Sequence, residues 1–434
     1  MAVTTWDGSA STAWATDANW DTGSAPTSSD DVIIPDTSSI NNPTLGAHVT
    51  INSLEIQTNG TIVGGGYEIT VNGENSSGFA VDNDGIISGN LDLEINTTTA
   101  TDIDLAGTSG NFQNLKLNDA SCDVTMKADC ILDGTLTIAA GQLSTGTGGY
   151  GFSNLTVAGN CSIAAGATLE GNASSGATVR LYSLTVNGTY SATGGETIIT
   201  GETSSGRAVD IVGTFTHNSG TLSIQSPMDT LLRWPSSSSA YHLRINNASC
   251  IARPTGDNKP LIAGNLTITV GEFNTLEGGQ NHALTVTGEV NVAGTLTCNS
   301  SVCSFGSLDS TGLTNLADDS GSTLITSENS DGLSIVAGTF GTCVPAKIKH
   351  NNGTVTFNNH SDPATHAAIV CGNSNATDGL YNVIIDGANT IVDTYDPGGA
   401  GQECKIHNNF TVTNGSFQVN GASNPFDVGG DVLV

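Results

Sequence analysis

The chain is 434 residues long, with 54 glycines, 12% charged residues, 5% aromatics and 11 Lys plus Arg against 41 Asp plus Glu, a formal charge of −30. A surface that tracks nucleic-acid phosphates or an anionic membrane needs clustered Lys and Arg, so neither is an expected partner, and no apolar run reaches the roughly 18 residues of a membrane-spanning helix. Hydrophobic residues still make up 37%, so disorder through excess charge is not indicated; a chain rich in Gly, Thr, Ser and Asn suits short strands and tight turns and does not suit helices.

Residues 1–44 hold three of the four tryptophans, Trp6, Trp14 and Trp20, and the prolines Pro26, Pro35 and Pro43. Ahead of a repeat array, such a cluster closes a core whose first strand edge is otherwise unpaired. The segment is therefore predicted to be an N-terminal cap or docking segment; an aromatic ligand-binding patch is the competing reading. Its opening, Met1-Ala2-Val3-Thr4-Thr5-Trp6-Asp7, has no basic n-region and no apolar h-region, which predicts no secretory signal and folding in a cytoplasm.

From about residue 45 the sequence repeats a unit of the form polar-Leu-Thr-Val/Ile-x-Gly. Copies are Asn154-Leu155-Thr156-Val157-Ala158-Gly159 and Ser183-Leu184-Thr185-Val186-Asn187-Gly188, with weaker ones at Ser53-Leu54-Glu55-Ile56, Asn90-Leu91-Asp92-Leu93 and Asn114-Leu115-Lys116-Leu117. The leading leucines fall roughly 19 to 30 residues apart, a solenoid spacing. Within each copy apolar and polar residues alternate, which turns one face of a strand inward. One unit cannot bury that face alone, whereas stacked units share a core and pair their backbones in parallel. Gly and Asn at the corners supply the positive φ of the bends. The prediction is an all-β chain folded as a parallel β-helix (β-solenoid), right-handed, with residues 45–226 as its first half.

Residues 227–260 depart from the pattern. They hold Trp234, Pro235, Pro254 and Pro260, and four of the eleven basic residues, Arg233, Arg244, Arg253 and Lys259. An irregular insert or a junction between two solenoid halves is expected there. Arg233, Trp234, Arg244, Arg253 and Lys259 are the candidate contact for an acidic partner or a neighbouring subunit. The repeat resumes over residues 261–434, as in Asn265-Leu266-Thr267-Ile268-Thr269-Val270-Gly271, Tyr381-Asn382-Val383-Ile384-Ile385 and Asn409-Phe410-Thr411-Val412. Residues 426–434 stop in strand-like alternation with no capping sequence, so a continuing parent chain or a covering subunit is expected.

The search for chemistry yields little. Nine widely spaced cysteines include no C-x-x-C pair, so they read as small buried hydrophobes, with a Cys298–Cys303 disulfide as the alternative. His360, His366 and Cys371, with His350 upstream, match no common zinc spacing. Asp30-Asp31, Asp82-Asn83-Asp84-Gly85 and Asp318-Asp319 could offer oxygens to calcium but also read as turn residues; no cofactor is expected, with Ca as the alternative at these clusters. Glycoside hydrolysis needs two carboxylates about 5–10 Å apart. Glu196 and Glu202 are a pair that neighbouring coils could bring together, yet aromatics for sugar stacking are scarce outside the cap, and no catalytic residue is assigned.

The Leu-Thr-Val-x-Gly repeat with its Gly-rich turns resembles the β-helical fibre, decoration and appendage proteins of bacteriophages, and is similar to the repeats of bacterial surface adhesins. The stretch from Ala18 to Pro35, Trp20 included, looks like the opening turn of such β-helices. The resemblance implies a non-enzymatic structural protein at the virion surface, made in the host cytoplasm, that docks by one end on capsid or tail proteins and projects a rigid acidic rod. It also implies a homo-oligomer, plausibly a trimer, and a host surface glycan as a further partner. A bacterial cell-surface adhesin fragment and a polysaccharide-degrading tailspike are the alternatives.

Overall fold

The structure, a computed structural model, describes residues 2–146, 153–173, 176–256, 260–327, 333–339, 342–343, 348–358, 367–370, 379–394, 404–419 and 426–434. The chain is all-β, a β-solenoid of about 15 turns of parallel stacked strands. The 3-10 turn Asp17–Asn19 is the one helical element among the described residues. Two compact units divide the chain, Met1–Gly220 and Thr221–Val434.

In the first unit the repeat becomes columns of side chains running from coil to coil. One inward column is Ile51, Val71, Ile95, Leu117, Ile138, Ile163, Val186 and Ile211. All eight are buried, and each lies 20 to 25 residues after the last. Two residues earlier on the same strands runs a second column, Ile69, Leu93, Leu115, Leu136, Cys161, Leu184 and Val209. A ten-stranded parallel sheet forms another wall: Val3–Thr5, Asp31–Ile34, Ser53–Ile56, Phe79–Asn83, Ala100–Asp104, Asp123–Met126, Gln142–Ser144, Thr168–Glu170, Thr189–Ser191 and Thr214–Thr216. Its inward column ends in Tyr190 and Phe215, stacked 5.9 Å apart at 20°. Branched and aliphatic side chains fill these columns because rungs about 4.8 Å apart leave room for one side chain per rung.

The second unit repeats the design with Leu222, Leu243, Leu266, Val290, Leu308 and Ile335 as one inward column. Its neighbour runs Ile224, Ile245, Ile268, Val292 and then Ser310. Ser310 is fully buried and its hydroxyl shares a 2.9 Å hydrogen bond with Thr314, which offsets the cost of a polar group in the core.

The asparagine that leads five of the repeats has a specific task. The Oδ1 of Asn114, Asn154, Asn265, Asn382 and Asn409 accepts a backbone N–H one coil further on, from Thr135, Thr178, Glu289, Asn409 and Asp431, at 2.7 to 3.2 Å. These bonds satisfy donors at corners where the parallel ladder lapses. Glycine is required where coils approach most closely: at Gly110, with φ 73°, a Cβ would fall onto the carbonyl oxygen of Ile87.

Two boundaries differ from expectation. Parallel pairing begins inside residues 1–44, since Val3–Thr5 pairs with Asp31–Ile34, and that strand with Ser53–Ile56. The cap thus supplies the first rungs of the ten-stranded sheet. Within residues 227–260, expected as an irregular insert or a junction, two strands follow the solenoid pattern on either side of the loop 234–241. Asp229–Arg233 and the 13-residue strand His242–Pro254 pair in parallel with each other and with neighbouring strands. Pro254 misled because it ends a strand, where its missing N–H costs little. The last strands, Phe426–Val428 and Val432–Leu433, also pair in parallel, and Val432 and Leu433 are exposed.

Candidate functional site

The three N-terminal tryptophans converge. Trp20 sits between Trp6 and Trp14, edge to face at 5.0 and 4.8 Å, and all three are at most 4% exposed. The Nε1 of Trp20 donates to the carbonyl of Trp14 at 2.8 Å and that of Trp6 to the carbonyl of Asn41 at 2.6 Å. Buried Asn19 ties the loop by accepting from Ala10 and Ser11 N–H and donating to Ser11 Oγ and the Ala13 carbonyl. With their rings inside and their N–H groups satisfied, these residues form a plug, and they present no aromatic face to a ligand.

The basic segment comes together only in part. Arg253 is held by Asp229 at 2.7 Å and donates to the carbonyl of Leu276 at 2.7 Å. Arg244 lies on a different stretch of the same strand, in register with Ser223 and Thr267, its Nε 3.4 Å from Ser223 Oγ. Arg233 follows Leu232 at the end of its strand and has a partner of its own. Trp234 is 3% exposed, with its Nε1 buried and without a hydrogen-bond partner, so its ring is a core residue and not a contact surface. Lys259 lies outside the described residues. Local charge density suggested one patch; Arg233 and Arg253 do share a face of neighbouring strands, Leu231 being in register with Arg253, while Arg244 stands elsewhere and Trp234 is in the core.

The acidic pairs mostly close turns. Asp30 accepts from the N–H and hydroxyl of Thr27, Asp31 from Asn52 and Ser53, and Asp318 from Ser320 N–H and the Ser300 hydroxyl. Asp82 differs: it stands in register between Glu55 and Asp104. Burial, followed by repulsion from Asp84, Asp104 and Glu55, raises its carboxyl above the ordinary range. Among the described residues no group of three or more His, Cys, Asp or Glu is placed to hold a metal ion. His360, His366 and Cys371 lie outside the described residues, while His350 stacks against Tyr381 and His407 at 5.0 Å each.

Glu196 and Glu202 do not face each other across coils. They lie along one stretch, since the ladder of the strand Glu196–Ile199 continues through Thr200 and Gly201, whose N–H groups bond Leu181 and Tyr182 carbonyls.

Six cysteines, Cys122, Cys130, Cys161, Cys250, Cys298 and Cys303, are buried free thiols. Burial pushes Cys130 and Cys161 up to about 12. Cys298 and Cys303 stand as two thiols; a hydrogen bond to Cys303, then burial, raises Cys298.

Two surface grooves lie among the described residues. One, of about 640 Å³ in the second unit, is lined largely by small residues including Gly271, Ala293, Gly294 and Gly312, with Glu272 at its side. The other, of about 380 Å³ in the first unit, contains Arg180. Comparison with family models, curated proteins and solved structures finds no match to this chain.

Proposed function

We propose that the chain is a non-enzymatic structural protein of a virus particle, a capsid decoration or a fibre or appendage, that docks by one end and projects a rigid acidic solenoid. The observation that carries this reading is the unbroken inward column from Ile51 to Ile211, preceded in the chain by the buried tryptophan cluster. A core of this kind adds length by repetition and saturates backbone hydrogen bonds between coils, which suits a load-bearing or projecting element. The surplus of 41 acidic over 11 basic residues supports the same role, because like charge keeps neighbouring copies from adhering along their sides.

Quantitative mass spectrometry of gradient-purified virus particles from the source tests the proposal. A copy number comparable to the main shell protein identifies a decoration protein of the capsid; a few copies per particle identify a tail or vertex appendage. Absence from particles refutes the reading and transfers it to a cell-surface adhesin.

A further inference from the structure

Cations are scarce on this chain, and those described are nearly all engaged. Lys116, Lys127, Arg207, Arg253 and Lys405 each have a carboxylate partner. Arg244 reaches Ser223, and Arg233 and Lys349 have partners too. Among the described residues, Arg180 alone among Lys and Arg makes no hydrogen bond and no ion pair. It is exposed, and it projects from the middle of the 380 Å³ groove.

The groove is built from two outward rows of the parallel sheet. Ile131, Thr156, Arg180 and Ile198 form one row, in register across four strands. Asp129, Asn154 and Thr178 line the other, two residues earlier on three of those strands, and Glu196 holds the same position on the fourth. That second row is prearranged: Asp129 accepts from the N–H and the side-chain amide of Asn154, and Asn154 accepts from the N–H of Thr178. A free guanidinium thus lies between Thr156 and Ile198 in its row, with Ile131 two rungs away and the Asp129 carboxylate and the Thr178 side chain in the row beside it.

We propose that this groove binds a carboxylate-bearing sugar unit of the hexuronic acid class. The Arg180 fork matches a planar carboxylate through two parallel N–H···O bonds. Asp129, Thr156 and Thr178 meet the ring hydroxyls, and Ile131 and Ile198 cover its C–H edges. The volume suits one sugar ring better than a folded partner. An acidic peptide fits less well, for two reasons. The backbone of these strands is already paired within the sheet, so no strand can be added, and Asp129 repels a second carboxylate. The assignment does not depend on the chain belonging to a virus particle.

The test is isothermal titration calorimetry of the full chain at physiological salt. The probes are trisaccharides of galacturonic, glucuronic and guluronic acid, their carboxyl-reduced neutral counterparts, and triglutamate. At least one acidic trisaccharide should saturate the protein, with the neutral counterpart and Arg180→Gln each weakening binding by about tenfold or more, as loss of a bidentate charged contact implies. Arg180→Lys should restore part of the affinity. Because Arg180 has no partner to lose, Arg180→Gln should keep the wild-type circular dichroism and urea midpoint. The proposal is overturned if none of the three acids saturates, if Arg180→Gln binds as well as wild type, or if triglutamate binds as tightly as the best sugar acid.

Discussion

Replacing Trp20 with alanine removes the central ring of the N-terminal plug. The indole lies between two others at 4.8 and 5.0 Å and donates a 2.8 Å bond to the Trp14 carbonyl. Truncating a buried Trp costs about 3–5 kcal/mol. The upper half of that range is expected, because two edge-to-face pairs, each contributing about 0.5–1.5 kcal/mol, disappear together with the hydrogen bond. In a stacked repeat this loss falls on nearest neighbours. Amide exchange should therefore accelerate, by roughly 100-fold for each 2.8 kcal/mol lost, at the first rungs, where Asp31 N–H bonds the Ala2 carbonyl and Trp6 N–H bonds the Ile33 carbonyl. Protection of Asn187 and Val212, bonded to the Ile163 and Val186 carbonyls, should change by less than about threefold. Hydrogen exchange read by mass spectrometry separates these segments. Unchanged exchange at Asp31–Ile34 refutes the plug; equal acceleration at Asn187 and Val212 refutes the nearest-neighbour argument.

Three further outcomes are expected. The raised carboxyl of Asp82 means that the folded state holds its proton more tightly than the unfolded chain, so its contribution is favourable at low pH and is lost as pH rises through the folded value; Asp82→Asn should raise Tm at pH 7 and leave it unchanged at pH 3, and the same shift at both pH values would refute the electrostatic cause. Gly110→Ala places a methyl group onto the Ile87 carbonyl at positive φ and should lower stability by about 1–3 kcal/mol in urea titration, the cost of strain at a special backbone position; a loss below about 0.5 kcal/mol, the range of ordinary surface changes, would show that the corner yields. Cys122, Cys130, Cys161, Cys250, Cys298 and Cys303 should resist thiol reagents at pH 8 in the native protein and react once it is unfolded, as peptide mapping would show; native labelling of Cys161 would contradict its burial.

The structural protein proposed here needs only the fold, and the fold was legible in the sequence to an unusual depth. Leu155-Thr156-Val157 and its copies specify inward and outward faces through the alternation of a strand, a property set by a few adjacent residues. The same reasoning read the cysteines as core residues; the six described ones are buried, and Cys161 stands in a column of Leu and Ile. It also located the cap, because a cluster of Trp ahead of a repeat has little else to bury against. The site was less legible. Trp234 and Arg253 sat together in composition, yet one is in the core and the other is tied to Asp229. Arg180 carried no signal beyond being a basic residue in a polar stretch, and its groove arises from Ile131, Thr156 and Ile198 on other strands.

Sequence alone determined that this chain is a parallel solenoid with alternating inward and outward residues and a buried aromatic start, since periodicity and composition act locally. Tertiary structure decided which residues meet. Coils of unequal length, 20 to 25 residues along the first unit's column but 18 from Val290 to Leu308 and 27 from Leu308 to Ile335, and register shifts such as that between Val157 and Asn160 set the neighbours across rungs. Those lengths place Glu196 and Glu202 along one stretch of chain, bring Glu55, Asp82 and Asp104 into one column, and leave Arg180 without a partner. Contacts between coils depend on distances accumulated around each turn, and no short stretch of sequence contains that sum.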